Sequence, residues 1–175
     1  MNARAVLLLA ALSGCTPAVA SSAPPLDEVC FSPGGHCAER AIALIDHARA
    51  IRAIEYELTA PAFLAAFVRA HARGADVALV LDGHQQRACR ELVAAGVTVL
   101  LDHQHAIAHE KVIVLDGKTV ISGSYNLSSA AERKNAEDML IRTNRKIAAA
   151  MLANYEEHRG HSVGCDVGTT TGDGR

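Results

Sequence analysis

Aromatic residues are scarce in this chain: three tyrosines, three phenylalanines and no tryptophan among 175 residues. That leaves no extended platform on which the bases of a single strand could stack in succession. A basic excess is missing as well. Seventeen Lys+Arg stand against nineteen Asp+Glu, a formal net charge of −2, whereas a non-specific DNA binder draws most of its affinity from phosphate neutralisation. A polyanionic substrate would have to meet a positive field confined to its site. No internal run is long and apolar enough to span a bilayer. There is no Cys-x-x-Cys pair of the zinc-binding kind, and no internal repeat. What remains is a chain that is 50% hydrophobic and 21% charged, the composition of a globular domain. Its length suits one core with terminal extensions.

The first extension reads as a targeting signal over residues 1–20. Arg4 forms a short basic region, residues 5–12 are apolar, and small residues follow. Two processing sites are written there. Leu12-Ser13-Gly14-Cys15 resembles the lipobox of bacterial lipoproteins, with Cys15 as the acylated residue, and Ala18-Val19-Ala20 is an ordinary A-x-A cleavage site. The reading favours acylation, hence membrane attachment through an N-terminal lipid, with residues 21–28 as a tether. Export to the periplasm or beyond makes the other cysteines informative. Cys30, Cys37, Cys89 and Cys165 allow three pairings. Cys30 and Cys37 flank the turn-rich Ser32-Pro33-Gly34-Gly35 and are expected to pair in an oxidising compartment; Cys89–Cys165 would then tie the tail to a helix.

Between these ends, apolar runs and helical periodicities alternate. Strands are expected at residues 29–31, 51–58, 77–81 and 97–101. Helices are expected at 38–49, at 61–73 with Thr59 as the cap, and at 86–95. This order implies an α/β domain over residues 29–160, a mixed, largely parallel sheet flanked by helices on both faces. Strands at 108–115 and 119–122 follow around Asp116-Gly117, a type I′ hairpin signal. A strand at 137–141 and a helix at 147–158 close the domain. Residues 161–175 read as a flexible tail.

The chemistry-bearing segment is His109-Glu110-Lys111. On a strand His109 and Lys111 share one face, with Glu110 and Val112 on the other. A neutral imidazole beside an ammonium suits attack on a phosphodiester, the lysine offsetting charge on the non-bridging oxygens. Asp116 lies at an odd spacing from His109 and inside the turn, which gives it a structural role at the hairpin. Gly123-Ser124-Tyr125-Asn126 places a hydroxyl and an amide two residues apart, both good partners for phosphate oxygens. Glu137 could hold the second nitrogen of an imidazole and fix its tautomer. His103, His105 and His109 crowd one segment, but with Asp102 as the lone acid close before His109 and no Cys-x-x-Cys they read as a polar loop rather than a metal centre. His105 falls at the rim.

The run His109-x-Lys111-x-x-x-x-Asp116-Gly117, followed by Gly123-Ser124-x-Asn126 and Asn135-Ala136-Glu137, resembles the phospholipase D superfamily, in particular its small bacterial endonucleases with a single motif. Phe31-Ser32-Pro33-Gly34-Gly35, Tyr56, Thr59, Arg73-Gly74 and Ala106-Ile107-Ala108 fit the same likeness. The resemblance implies a phosphodiesterase that needs no metal or other cofactor and passes through a phosphohistidine. His109 would be nucleophile or acid, Lys111 and Asn126 would bind phosphate, Ser124 would line the site, and Glu137 would orient His109. Asp116, the last residue of the motif, belongs to this catalytic set by the likeness alone. Such chemistry needs two histidines. With one motif per chain, the second is expected from a two-fold partner, so the likeness implies a homodimer with the site at its interface. Glu57 and Leu58 depart from the Ser and Phe usual after the tyrosine. The expected substrate is DNA, with RNA as a wider range. The alternative is a lipid-directed hydrolase acting on phosphatidyl or cardiolipin-type headgroups, although no amphipathic interfacial helix stands out.

Overall fold

Short β-branched runs and helical periodicities condense into one sheet with helices on its two faces. The computed structural model describes residues 27–166. The elements run β1 (Asp27–Ser32), α1 (Cys37–His47), β2 (Ala50–Glu55), α2 (Pro61–Ala72), β3 (Asp76–Asp82), α3 (Gln86–Ala94) and β4 (Thr98–Asp102). They continue with β5 (Lys111–Leu115), β6 (Thr119–Gly123), α4 (Ser129–Arg133), β7 (Glu137–Thr143), α5 (Arg145–His161) and β8 (Val163–Gly164). The sheet order is β1-β7-β6-β5-β2-β3-β4-β8.

The α/β class and the mixed sheet agree with the sequence reading, but the share of parallel pairing does not. Only β2–β3 and β3–β4 are parallel; the other neighbours are antiparallel. The helical crossovers after β2 and β3 demand parallel neighbours. After β4 the chain instead returns without a helix and inserts β5 antiparallel to β2.

One face carries α1, α2 and α3 over Ile51, Ala53, Leu79, Leu81 and Ile113, with Phe63 and Phe67 fully buried between them. Removing either ring would cost about 3–5 kcal/mol. On the other face α5 covers the middle of the sheet: Tyr155 packs with Ile54, Ala78 and Val80, and Ala148 with Val112, Val114 and Val120. Among the described residues no helix covers this face of the outer β1–β7 edge, and Val29, Phe31 and Leu140 are exposed there.

The β5–β6 hairpin turns through Asp116 (φ 53°) and Gly117 (φ 60°), the two positive φ values of a type I′ turn. Both cysteine pairs are bonded, Cys30–Cys37 and Cys89–Cys165. Several boundaries shift. Asp27 and Glu28, read as tether, begin β1. The start of the supposed tail is structured: α5 reaches His161, β8 pairs with β4, and Cys165 is bonded. Helix α2 is capped by Ala60 rather than Thr59, with no side-chain cap bond. The signal segment, Cys15 and most of the tether lie outside the described residues.

Candidate active site

The carboxyl ends of β2 and β3 meet the entrance to β5 along one edge of the sheet, and Tyr56, the residue after β2, organises the side chains there. The His109 ring meets it edge-on with centroids 4.5 Å apart. The Lys111 ammonium lies 4.9 Å from the Tyr56 centroid, within cation–π range. His109 and Lys111 therefore share a face as expected. Glu110 turns to the opposite face, where Asn154 of α5 donates to it at 2.9 and 3.0 Å. β5 begins at Lys111, and His109 lies in an irregular lead-in held by a Tyr56 N–H bond to the Glu110 carbonyl (2.9 Å).

Lys111 is 8% exposed whereas His109 is exposed. Lys111 donates to the His109 carbonyl at 2.7 Å, fixing backbone and ammonium together. Burial lowers its pKa, an effect opposed by the acids Glu55, Glu137 and Glu57. Glu55 faces Lys111 across the β2–β5 ladder. It is 1% exposed, and one of its oxygens has no hydrogen-bond partner. Desolvation raises its carboxyl well above the usual range despite the neighbouring lysine. Sequence reasoning missed this acid; its position in the apolar run of β2 was the available signal.

Ser124 and Asn126 sit on the turn after β6. The N–H groups of Ser124 and Tyr125 both reach the Asp138 carbonyl (3.1 and 3.3 Å). A Cβ at Gly123 would fall on that same oxygen, so the close approach requires glycine. The Asn126 side-chain oxygen is buried without a partner, an unmatched polar group of the kind a ligand satisfies.

Glu137 has partners other than the expected one, and Asp116 occupies the hairpin position that its spacing indicates. Glu137 accepts from Ser124 (2.6 Å) and Asn135 (2.9 Å) rather than bonding the His109 of its own chain. It stands at the head of β7, separated from β5 by β6. Asp116 lies at the far end of β5, where its carboxylate accepts from the N–H groups of Arg49 (2.8 Å) and Ala50 (3.0 Å). It pins the hairpin to the start of β2. Glu57 is half-buried, bonded by the Thr59 hydroxyl at 3.4 Å, and close enough to act on Lys111.

A second histidine reaches Tyr56. His84, just past β3, packs against it tilted, with centroids 5.1 Å apart, and is held through Nδ1 by Asp82. The other Asp82 oxygen accepts from the Ala108 N–H (2.6 Å), anchoring the segment that carries His109. Burial raises the Asp82 carboxyl, but the His84 and Ala108 N–H groups together with the His84 ring hold it below its usual range. No spacing in the sequence links His84 to His109, because a whole αβ unit separates them.

The sheet and its edge define an α/β protein that presents an imidazole and an ammonium together. A family model described as "Cardiolipin synthase, PLD-like domain" matches residues 41–159, and the chain belongs to this phospholipase D-like family. It is 34% identical over 131 residues to a phospholipase D of Rickettsia bellii, covering 72% of this chain and 65% of that protein; it thus spans just under two thirds of that relative. Among solved structures it resembles Nuc, a phospholipase D family member from Salmonella typhimurium. The TM-score is 0.75 at 32% identity, over 79% of this chain and 96% of that one. NucT from Helicobacter pylori shares the fold, with a TM-score of 0.71 at 20% identity over 80% and 99% of the two chains.

Proposed function

We propose that this chain is a phosphodiesterase that hydrolyses nucleic acid, DNA first and RNA in addition, with His109 as its nucleophile. The observation that carries the reading is the packing of His109 and Lys111 on the single Tyr56 ring. An imidazole nitrogen attacks phosphorus while the bond to one ester oxygen breaks, and a second imidazolium protonates the departing oxygen. Water then attacks the phosphohistidine, the N–P bond breaks and His109 is restored. Lys111 offsets charge on the non-bridging oxygens, and the Asn126 amide offers a further donor. The overall charge of −2 does not oppose a polyanion if cations are local. Arg133 and Lys134 are exposed on the approach to Asn135 and Glu137.

The active form is a homodimer in which a second copy supplies the protonating histidine. The exposed Val29, Phe31 and Leu140 on the uncovered sheet edge support such a contact. Export, with lipid attachment at Cys15, completes the proposal. Two disulfides suit an oxidising compartment.

The test is plasmid nicking in EDTA beside a His109→Ala control, with phosphatidyl and cardiolipin vesicles assayed in parallel. Nicking that disappears in the variant is expected. Headgroup release without nicking would replace nucleic acid by lipid, the alternative favoured by the Rickettsia likeness. Inertness towards both would end the proposal.

A further inference from the structure

Away from Tyr56, three histidines close around one buried carboxylate. We propose that Asp102, His105, His158 and His161 form a structural binding site for a divalent transition-metal ion, with zinc as the ion whose preferences they match.

Asp102 ends β4, His105 lies in the following loop, and His158 and His161 occupy the last turns of α5, three residues apart and so on one helix face. Asp102 Oδ2 lies 2.9 Å from His105 Nδ1, 2.8 Å from His158 Nδ1 and 3.1 Å from His161 Nε2. All four donor atoms fall within 4.8 Å of one another. Tetrahedral zinc with bonds near 2.0–2.1 Å sets its ligand atoms about 3.3 Å apart, so modest side-chain rotation brings this set onto one ion. Three imidazoles and one carboxylate match zinc better than calcium or magnesium, which take oxygen ligands.

The plainer reading, a buried acid satisfied by histidines, accounts poorly for the crowding. Asp102 Oδ1 already accepts the backbone N–H groups of Gln104 (2.9 Å) and His105 (3.2 Å). Three imidazole nitrogens then converge on Oδ2, so the carboxylate faces five donors in all, more than its about four lone-pair positions accommodate. A cation at that point gives each nitrogen a partner for its lone pair.

The surroundings point the same way. The other nitrogen of His158 lies 3.2 Å from Glu110, which Asn154 holds in place. Metal-bound histidines characteristically donate their second ring nitrogen to such a carboxylate. Four protein ligands leave no open position, the pattern of a structural rather than a catalytic zinc. The ion would join β4, α5 and both ends of residues 105–110, the stretch that carries His109.

The protein, purified without a histidine tag and stripped with chelator, is titrated with zinc against a chromophoric competitor. About one equivalent per chain is expected, together with a higher thermal midpoint and, for cobalt(II), the intense visible bands of tetrahedral coordination. His161→Ala and His105→Ala remove ligands that are not fully buried. Each should weaken binding at least about 100-fold, and Glu110→Gln, altering a positioning residue, about 10–100-fold. His109→Ala should bind zinc as the parent does. A natively folded parent that takes up no stoichiometric zinc overturns the site. So does equal uptake by the His105/His161 double variant, or a weak octahedral cobalt spectrum.

Discussion

Glu55 and Lys111 face one another across the β2–β5 ladder, and both are buried. The acid, fully desolvated and raised well above its usual range, keeps its proton where an unfolded glutamate has lost it. In that window the folded state binds more protons than the unfolded one, so stability falls as pH rises from the ordinary glutamate range to the folded value. Glu55→Gln has no proton to lose. Its melting temperature relative to the parent should therefore climb with pH across the window, as read by thermal melts from pH 4 to 8. Parallel curves would show that Glu55 is ionised when folded.

The two histidines at Tyr56 should differ in weight. His109→Ala is expected to lower kcat/KM for a phosphodiester by about 10⁴-fold or more, as nucleophile removal does. His84→Ala, which removes an imidazole held by Asp82, should stay within about tenfold. Equal losses would place both reacting histidines in one chain and remove the need for a partner.

Asp116 should matter for stability and little for turnover. Asp116→Ala loses two backbone partners, each worth about 0.5–1.5 kcal/mol. It also puts at φ 53° a residue with no polar side chain to bond locally, which tolerates that conformation less well than Asp or Asn. Asp116→Asn keeps an acceptor and tolerates that conformation, so it should lose less. Denaturant melts measure the difference, while activity per folded molecule should hold. A selective loss of turnover would return Asp116 to the catalytic set.

The two disulfides should be unequal. Cys89–Cys165 closes 76 residues and Cys30–Cys37 only 7. Chain entropy assigns about 4–5 kcal/mol to the longer loop and about 2–2.5 to the shorter. Cys89→Ser with Cys165→Ser should therefore lower the denaturant midpoint more than the equivalent Cys30 and Cys37 pair. The reverse order would mean that local packing outweighs loop closure.

Much of this was legible along the chain because it depends on near neighbours. Alternation places His109 and Lys111 on one face, and Asp116-Gly117 writes a type I′ turn through the two positive φ values it tolerates. The parity that keeps Asp116 off that face matches its place at the hairpin, where its carboxylate accepts from Arg49 and Ala50. Helical and strand periods gave the principal elements, because burial of one face is a local pattern. The short α4 and the two-residue β8 carry too few residues to show a period.

Tertiary structure alone decided which segments became neighbours. A strand's pattern shows which face is buried, not which strand lies beside it. The insertion of β5 next to β2, the pairing of Glu55 with Lys111 and the bonding of Glu137 to Ser124 had no signature in spacing. The same holds for Asp102 and His105, which meet His158 and His161 only because α5 folds back across β4. Local chemistry and alternation are properties of consecutive residues. Long-range contacts are a choice among packings, made by the burial of the whole sheet at once.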